Sequence, residues 1–452
     1  MHYLCKIMTL KKYLPHYRAT LRLGMPIVVG QLGTIVLGFA DTLMVGHYNT
    51  SALAAASFVN SLYNLVTIAL LGFSYGITPI VGAMFSRGEE REAGAALRTG
   101  AIANGLFCGG LLAAMLVLYF LLPKLGQPVE LLPLIRPYYL VILISMVFVA
   151  AFNVMRQFTD AITQTDRAMW LLIGGNVLNI VGNWMLIYGI GPFPELGLFG
   201  AGLSTLLSRV LMAVGFIWLL LAARRYAPFR AGFRDRSLCG CKLRKMFATS
   251  FPVALQMGME TGSFSVSAVM VGWLGAVALA SYQVLMTIST LGYLFYYSIG
   301  AAIAIRVAAF SGSGDREGVR TATAAGYHTL LAMSAATSVF LAVAGGRIIS
   351  CFTSDAEVIA SATALILPLV LYQFGDATQI CYANALRGTS YVKSMIWCAF
   401  VSYILVGLPT AYLLGFPAGL GERGIFLSFS AGLFTAAGLF YWQFRRVVGA
   451  GR

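Results

Sequence analysis

Three carboxylates stand where acids are scarce. Asp41 sits in the apolar run "VLGFADTLMVG", with no other acid, lysine or arginine between Arg22 and Arg87. Glu260 precedes Ser263, Ser265 and Ser267 in a glycine-rich stretch, and Asp376 lies within "VLYQFGDATQICYANALRG". A charge at the centre of a bilayer costs about 2.5 to 3.5 kcal/mol on insertion scales. Such an acid persists when it faces a polar cavity, binds a cation or carries a proton. Desolvation favours its neutral form and a nearby cation its ionised form. One buried carboxyl can therefore exchange a proton for a cation.

Partners of the right chemistry lie along the chain. "GGNVLNIVGNW" sets Asn176, Asn179 and Asn183 at spacings of three and four, which is one helix face. "GAGLSTLL" adds Ser204 and Thr205. A carboxylate, amide oxygens and a hydroxyl make a hard-oxygen cage for Na⁺, or a hydrogen-bonded cage for a protonated acid. The same asparagines could instead be glue between helices. In the second half, Tyr372 and Asp376 stand four apart on one face, and Tyr293, Tyr296 and Tyr297 cluster nearby in sequence. Acids flanked by tyrosines suit organic cations, by charge and by ring face. Arg209 could pair with one of the acids or snorkel to an interface. His328 reads as an interfacial histidine.

The elements that must hold these residues follow from composition. The chain has 452 residues, 59% hydrophobic and 10% charged, with mean hydropathy +0.81. Soluble domains carry about 25% charged residues, so this is a polytopic membrane protein. A spanning helix needs roughly 20 apolar residues. Twelve candidates read out at 21–45, 52–80, 95–121, 133–155, 166–189, 197–222, 246–273, 277–306, 321–344, 357–386, 392–415 and 424–444. The expected class is all-α. The first 20 residues read as a short cytoplasmic head, and no cleavable signal peptide stands out.

Of the 31 lysines and arginines, 26 fall on one side of these spans and four on the other, with Arg209 inside the sixth. The positive-inside rule then puts both termini in the cytoplasm. The net charge of +15 thus marks the inner face and is no sign of nucleic-acid binding.

The chain also repeats at an offset of 226: Pro26 maps to Pro252, Val45-Gly46 to Val271-Gly272, Ala52-Leu53-Ala54 to Ala278-Leu279-Ala280, and "SRGEERE" to "GSGDREG". This divides it into an N-terminal lobe (1–222), a basic cytoplasmic linker (223–245) and a C-terminal lobe (246–452). Two six-helix halves in one orientation are the parallel kind of repeat. Such lobes are expected to enclose a cleft and expose it alternately to either side.

Several chemistries are missing. Seven scattered cysteines, including the Cys239-x-Cys241 pair, read as free thiols. No nucleophile motif, phosphate loop or metal-ligand cluster is present, so neither ATP nor a cofactor is expected. An ion gradient remains: one charge crossing 100 mV is worth about 2.3 kcal/mol.

The residues also carry a resemblance. "GMPIVVGQLGTIVLGFADTLMVG", "SFPVALQMGMETGSFSVSAVMVG", "SIGAAIAIRV", "YQFGDATQICYANALRG" and "NIVGNWMLIYG" with "GLFGAGLST" resemble, in order and spacing, the NorM-like bacterial branch of the MATE (multidrug and toxin extrusion) transporters. The resemblance implies a two-lobe antiporter that exports small organic cations in exchange for Na⁺ or H⁺. It assigns Asp41 with Asn179, Asn183 and Thr205 to coupling in the N-terminal lobe. It assigns Glu260, Tyr293 and Asp376 to a cation site in the other, with Na⁺ held by Glu260 and Asp376, and Tyr372 and Gln283 at its edge. Some relatives have a second Asp where this chain has Asn183. The setting implied is a monomer spanning the bacterial inner membrane. The alternative is a flippase of lipid-linked oligosaccharides, whose cleft should be rich in cations to meet pyrophosphate.

Overall fold

Without water to hydrogen-bond the backbone, lipid-spanning segments close their own bonds as helices. The computed structural model describes residues 2–124, 126, 128–235 and 240–449, with the side chains of 2–11 left out, and these residues are helical with no strand among them. Lys6, Lys11, Arg236, Arg452, Cys5 and Cys239 lie outside the described side chains.

In chain order the helices are α1 (His2–Tyr48), α2 (Thr50–Ser74), α3 (Ile77–Ser86), α4 (Glu90–Leu121), α5 (Leu132–Ala161), α6 (Thr165–Tyr188), α7 (Gly197–Ala222) and α8 (Ala227–Arg234). The second half supplies α9 (Gly240–Gly272), α10 (Ala276–Gly312), α11 (Arg316–Ser350), α12 (Ala356–Ala364), α13 (Ile366–Gly388), α14 (Lys393–Ala399), α15 (Leu408–Gly415) and α16 (Gly421–Gly449). Ten helices are long and apolar enough to cross a membrane, α12 and α13 form an eleventh span bent by 44°, and the 33-residue α9 is the twelfth long helix. The first 20 residues form the first turns of α1, continuous with its span.

The chain divides into two compact units, residues 26–254 and residues 1–25 with 255–452. The limits fall inside α1 and α9 rather than at the linker, and side-chain chemistry explains why. Arg306 on α10 donates to the His16 carbonyl at 2.9 Å and to the Thr20 hydroxyl at 2.7 Å. Lys12 meets Glu317 at 2.8 Å, and Tyr17 shares a 3.0 Å hydrogen bond with His328. These contacts bind the start of α1 to the second half. Conversely, Phe247 on α9 sets its ring 5.2 Å from Phe73, and Ser250 packs against Gly76 so closely that a Cβ there would lie 2.1 Å from its hydroxyl.

Each unit buries polar side chains within its apolar core and also leaves large apolar side chains exposed at its surface. Trp170, Trp218, Phe120 and Trp397 are exposed, as lipid-facing residues should be. Among the described residues, Asn104, Asn179, Asn183, Gln256, Gln373 and Asp376 are buried. The repeat is visible in the backbone: Gly88 and Gly314, 226 residues apart, have φ of 76° and 75° in the turns before α4 and α11.

The short α8 is strapped to its unit. A Cβ on Gly94 of α4 would lie 1.9 Å from the Phe229 carbonyl oxygen, and one on Gly232 of α8 would lie 1.7 Å from that of Arg91. The two helices touch backbone to backbone, which only glycine permits. We expect Gly232→Val to lift α8 from α4. Trypsin cleavage at Arg230 or Arg234 in the folded, detergent-solubilised protein should then accelerate at least tenfold, the factor that a local loss of about 1.4 kcal/mol produces.

Candidate functional site

In the unit of residues 26–254, Asp41 is met by amides. Helix α6 brings Asn179 and Asn183 to α1, and Asn183 Nδ2 donates to Asp41 Oδ1. The Asn179 amide stands between Asp41 on one side and Thr205 and Ser208 of α7 on the other. Turned one way, its nitrogen donates to Thr205 Oγ1 at 3.2 Å and Ser208 Oγ at 3.3 Å. Those hydroxyls give their own hydrogens to the Ala201 and Thr205 carbonyls at 2.9 Å. Turned the other way, the Asn179 nitrogen donates to Asp41 Oδ1 at 3.0 Å and its oxygen faces the two hydroxyls. An amide offers a donor end and an acceptor end of one shape. The second orientation satisfies both ends of the amide and gives Asp41 a second amide donor beside Asn183.

Ser204 fixes α6 by donating to the Asn179 carbonyl at 2.8 Å. Thr205 therefore reaches Asp41 through Asn179. Asn176, on the same stripe, packs against Gly33, and its Nδ2 has no hydrogen-bond partner among the described residues. Arg209 donates to Ser145 on α5, and the acid whose charge it feels is Asp41. Tyr138 lies near both charges and donates to Asn60 at 3.2 Å.

In the other unit, Glu260 belongs to a chain of hydrogen bonds. Gln256, one turn before it on α9, donates from Nε2 to Glu260 Oε2 at 2.7 Å and accepts at Oε1 from Arg387 Nη2, also at 2.7 Å. Gln379 approaches the same carboxylate at 3.5 Å, and Asn384 accepts from Arg387 at 3.2 Å. The guanidinium is thus relayed to Glu260 through one buried amide. Tyr403 lies beside Glu260, in a π-helical stretch at 400–407 that joins α14 to α15. Such bulges recur at functional sites.

Asp376 is different. It is 2% exposed, and its Oδ2 has no hydrogen-bond partner among the described residues. The charge nearest in effect is Glu260. Tyr372 sits within interaction range of both acids, its ring 6.2 Å from Phe264 and 6.3 Å from Phe429. Tyr293 lies 5.9 Å from Tyr297, ring to ring, and also faces Tyr372. Tyr296 is taken by Gln373 at 2.9 Å. Gln283 is exposed, and its side chain joins none of these hydrogen bonds. Among the described residues, no group of three His, Cys, Asp or Glu side chains could hold a metal ion. A cation at Asp376 would draw on two carboxylates and phenolic oxygens, hard donors that suit Na⁺.

Sequence reasoning missed three features. Gln256 and Arg387 read as ordinary polar residues until the fold joins them to Glu260. The span expected to end at 155 runs on to Ala161, which buries Asp160 3.7 Å from Arg156. The signal for the arginines was present: Asn153-Val-Met-Arg156 and Asn384-Ala-Leu-Arg387 share a spacing near the offset of the repeat.

Duplicated long apolar helices around buried carboxylates define a membrane transporter. Its two repeats match the MatE family over residues 26–185 and 252–413, and the chain belongs to that family. It is 28% identical to the "Probable multidrug resistance protein NorM" of Geobacillus kaustophilus, over 95% of each chain. It is 28% identical to the "Multidrug resistance protein NorM" of Vibrio cholerae, over 92% of each. Among solved structures, it superposes on an outward-facing multidrug resistance MATE family transporter with TM-score 0.87 and 19% identity, covering 96% of both chains. A MOP superfamily transporter from Pyrococcus furiosus aligns equally well, at TM-score 0.87 and 18% identity over 96% of both. The chain is thus a transporter of the MATE family, NorM-like branch, and not an enzyme.

The relay predicts a stability effect. Gln256→Leu leaves Arg387 and Glu260 each short of a buried partner. We expect a loss of about 3 kcal/mol, read as a lowered midpoint when heating exposes the buried thiols of Cys108, Cys381 and Cys398 to a maleimide dye. The exposed Gln283→Leu should leave that midpoint within about 0.5 kcal/mol of the parent.

Proposed function

We propose that the protein is a secondary antiporter that exports small organic cations in exchange for Na⁺ or H⁺. The observation that carries this reading is Asp376: a buried carboxylate oxygen without a protein partner, beside a second acid and a tyrosine. A fixed structural acid would be satisfied by its neighbours, as Glu260 is by Gln256. Asp376 must instead hold a proton or a cation, and either can be exchanged for the other or for cargo. The tyrosines offer ring faces to a delocalised positive charge.

Asp41 supplies the second exchange point. Asn183 and Asn179 both present amide hydrogens to its carboxyl. Thr205 and Ser208 take up the amide end that Asp41 does not use. Asn183 holds the carboxyl in either state. No carboxylate stands at Asn183, which favours a proton over a metal ion at this position. The Glu260–Asp376 pair, with more oxygen donors, is the place for Na⁺.

Flippase activity on pyrophosphate-linked lipids fits less well. It needs buried cations free to meet phosphate. Here Arg156 pairs with Asp160, Arg209 with Ser145, and Arg387 with Gln256 and Asn384. The protein is proposed to act as a monomer in the bacterial inner membrane with both termini cytoplasmic, as the distribution of bases directs.

The test is transport by the purified protein in proteoliposomes, with ethidium as cargo. We expect efflux under an imposed Na⁺ or proton gradient and none without one. Asp41→Asn and Asp376→Asn should each reduce the initial rate at least about fiftyfold while the protein reconstitutes in normal amount. Efflux that survives both changes would remove the roles given to these acids. Gradient-driven uptake absent for every cation tested would remove the antiport reading itself.

A further inference from the structure

The strapped helix α8 closes one side of a cavity of about 210 Å³. Its walls are Met155 and Phe158 of α5, Ile217 and Leu221 of α7, and Phe233 of α8, and almost no polar surface lines it. Phe158 is buried, whereas Ile217, Leu221 and Phe233 are 42%, 59% and 38% exposed. The cavity therefore opens at the outer surface of its own unit, among residues that face lipid. Arg230 and Arg234 complete the lining. Arg230 Nη1 is spent on the carbonyls that end α7, those of Leu220, Leu221 and Ala223. That bond fixes the guanidinium at the rim and leaves its other N–H groups to a ligand. Arg234 is exposed, with no ion-pair partner among the described residues.

The position is pinned from several sides. Tyr226 donates to Gln164 on the turn before α6, and Arg98 of α4 donates to the Asp235 carbonyl just past α8. Gly94 and Gly232 lock the two backbones together. The cavity is thus preformed and needs no ordering of the linker to receive a guest. It lies at the basic end of α4, α5 and α7, which the distribution of lysine and arginine places at the inner leaflet.

We propose that this cavity is a binding site for an anionic glycerophospholipid of the inner leaflet. One acyl chain enters between α5, α7 and α8, and the phosphate meets Arg230 and Arg234 at the rim. An apolar slot with a basic mouth at headgroup depth matches both ends of such a molecule. A water-soluble cargo would leave its polar part unmet in these walls. A second protein helix would not fit an opening of this volume.

Native mass spectrometry of the full chain, solubilised in detergent and offered equal amounts of phosphatidylglycerol and phosphatidylethanolamine, tests the site. We expect one phosphatidylglycerol retained per chain, at least about fivefold over phosphatidylethanolamine, the factor that about 1 kcal/mol per base confers. Arg234→Gln should bring the two lipids to near parity. Ile217→Trp fills the slot and should abolish retention of both, and Leu221→Trp serves the same purpose at a more exposed wall should the first variant elute as aggregate. Equal retention of the two lipids by the parent protein would overturn the proposal. So would a preference unchanged by Arg234→Gln, or retention unchanged by the filled slot.

Discussion

Charge buried in a helix bundle without bulk water has to be met by something else buried with it. Every polar feature of this protein answers to that constraint. Desolvating one ion costs several kcal/mol even after relaxation, more than any single packing contact returns. The solutions found here are of two kinds. Some charges are met by fixed partners: Arg156 by Asp160, Arg306 by the His16 carbonyl and Thr20, and Arg387 by Gln256 and Asn384. Asp41 is met by uncharged amides, and one oxygen of Asp376 is met by no side chain among the described residues. The first kind holds the fold. The second kind is where exchange can occur.

The duplication sharpens this division. Each half carries an Asn-x-x-Arg near the C-terminal end of a long helix, and the two arginines have been put to different use. Arg156 turns to Asp160 on its own helix, four residues on. Arg387 reaches across to α9, where Gln256 relays it to Glu260. The position matching Gln256 at the repeat offset is Gly30, which has no side chain to relay anything. Asp41 consequently has no amide relay to Arg156 and is held by asparagines. Two copies of one scaffold thus hold acids of different character, which a pore built by symmetry would not do.

Much of this was legible in the sequence. Span number, the repeat and the three central acids follow from hydropathy and from the scarcity of charge. The asparagine face was legible too, since spacings of three and four put Asn179 and Asn183 together on any helix. The unit limits were not. Hydropathy marks where a helix leaves the bilayer, whereas the limits are set by tertiary contacts such as Arg306 with Thr20 and Phe247 with Phe73. Gln256 escaped notice because an uncharged amide raises no alarm in an apolar run; only its two partners, 131 and four residues away, give it meaning. Asp160 escaped because it lies near a helix end, where solvent is the default expectation. Gln283 shows the converse: family resemblance put it at the edge of the cation site, yet its side chain is exposed and joins none of the hydrogen bonds there.

The two acids of the second unit then have a natural order. Glu260 is tied through Gln256 to a guanidinium, so part of its charge is answered whether or not a cation is present. Asp376 has no such tie, and its Oδ2 meets no hydrogen-bond partner among the described residues. In the proposed exchange, a cation at the pair would answer both carboxylates. Without Arg387 the pair would call for two positive charges; with it, tied through Gln256, one would suffice. On that proposal the guanidinium would not compete with the cation but would lower the number of cations the site requires.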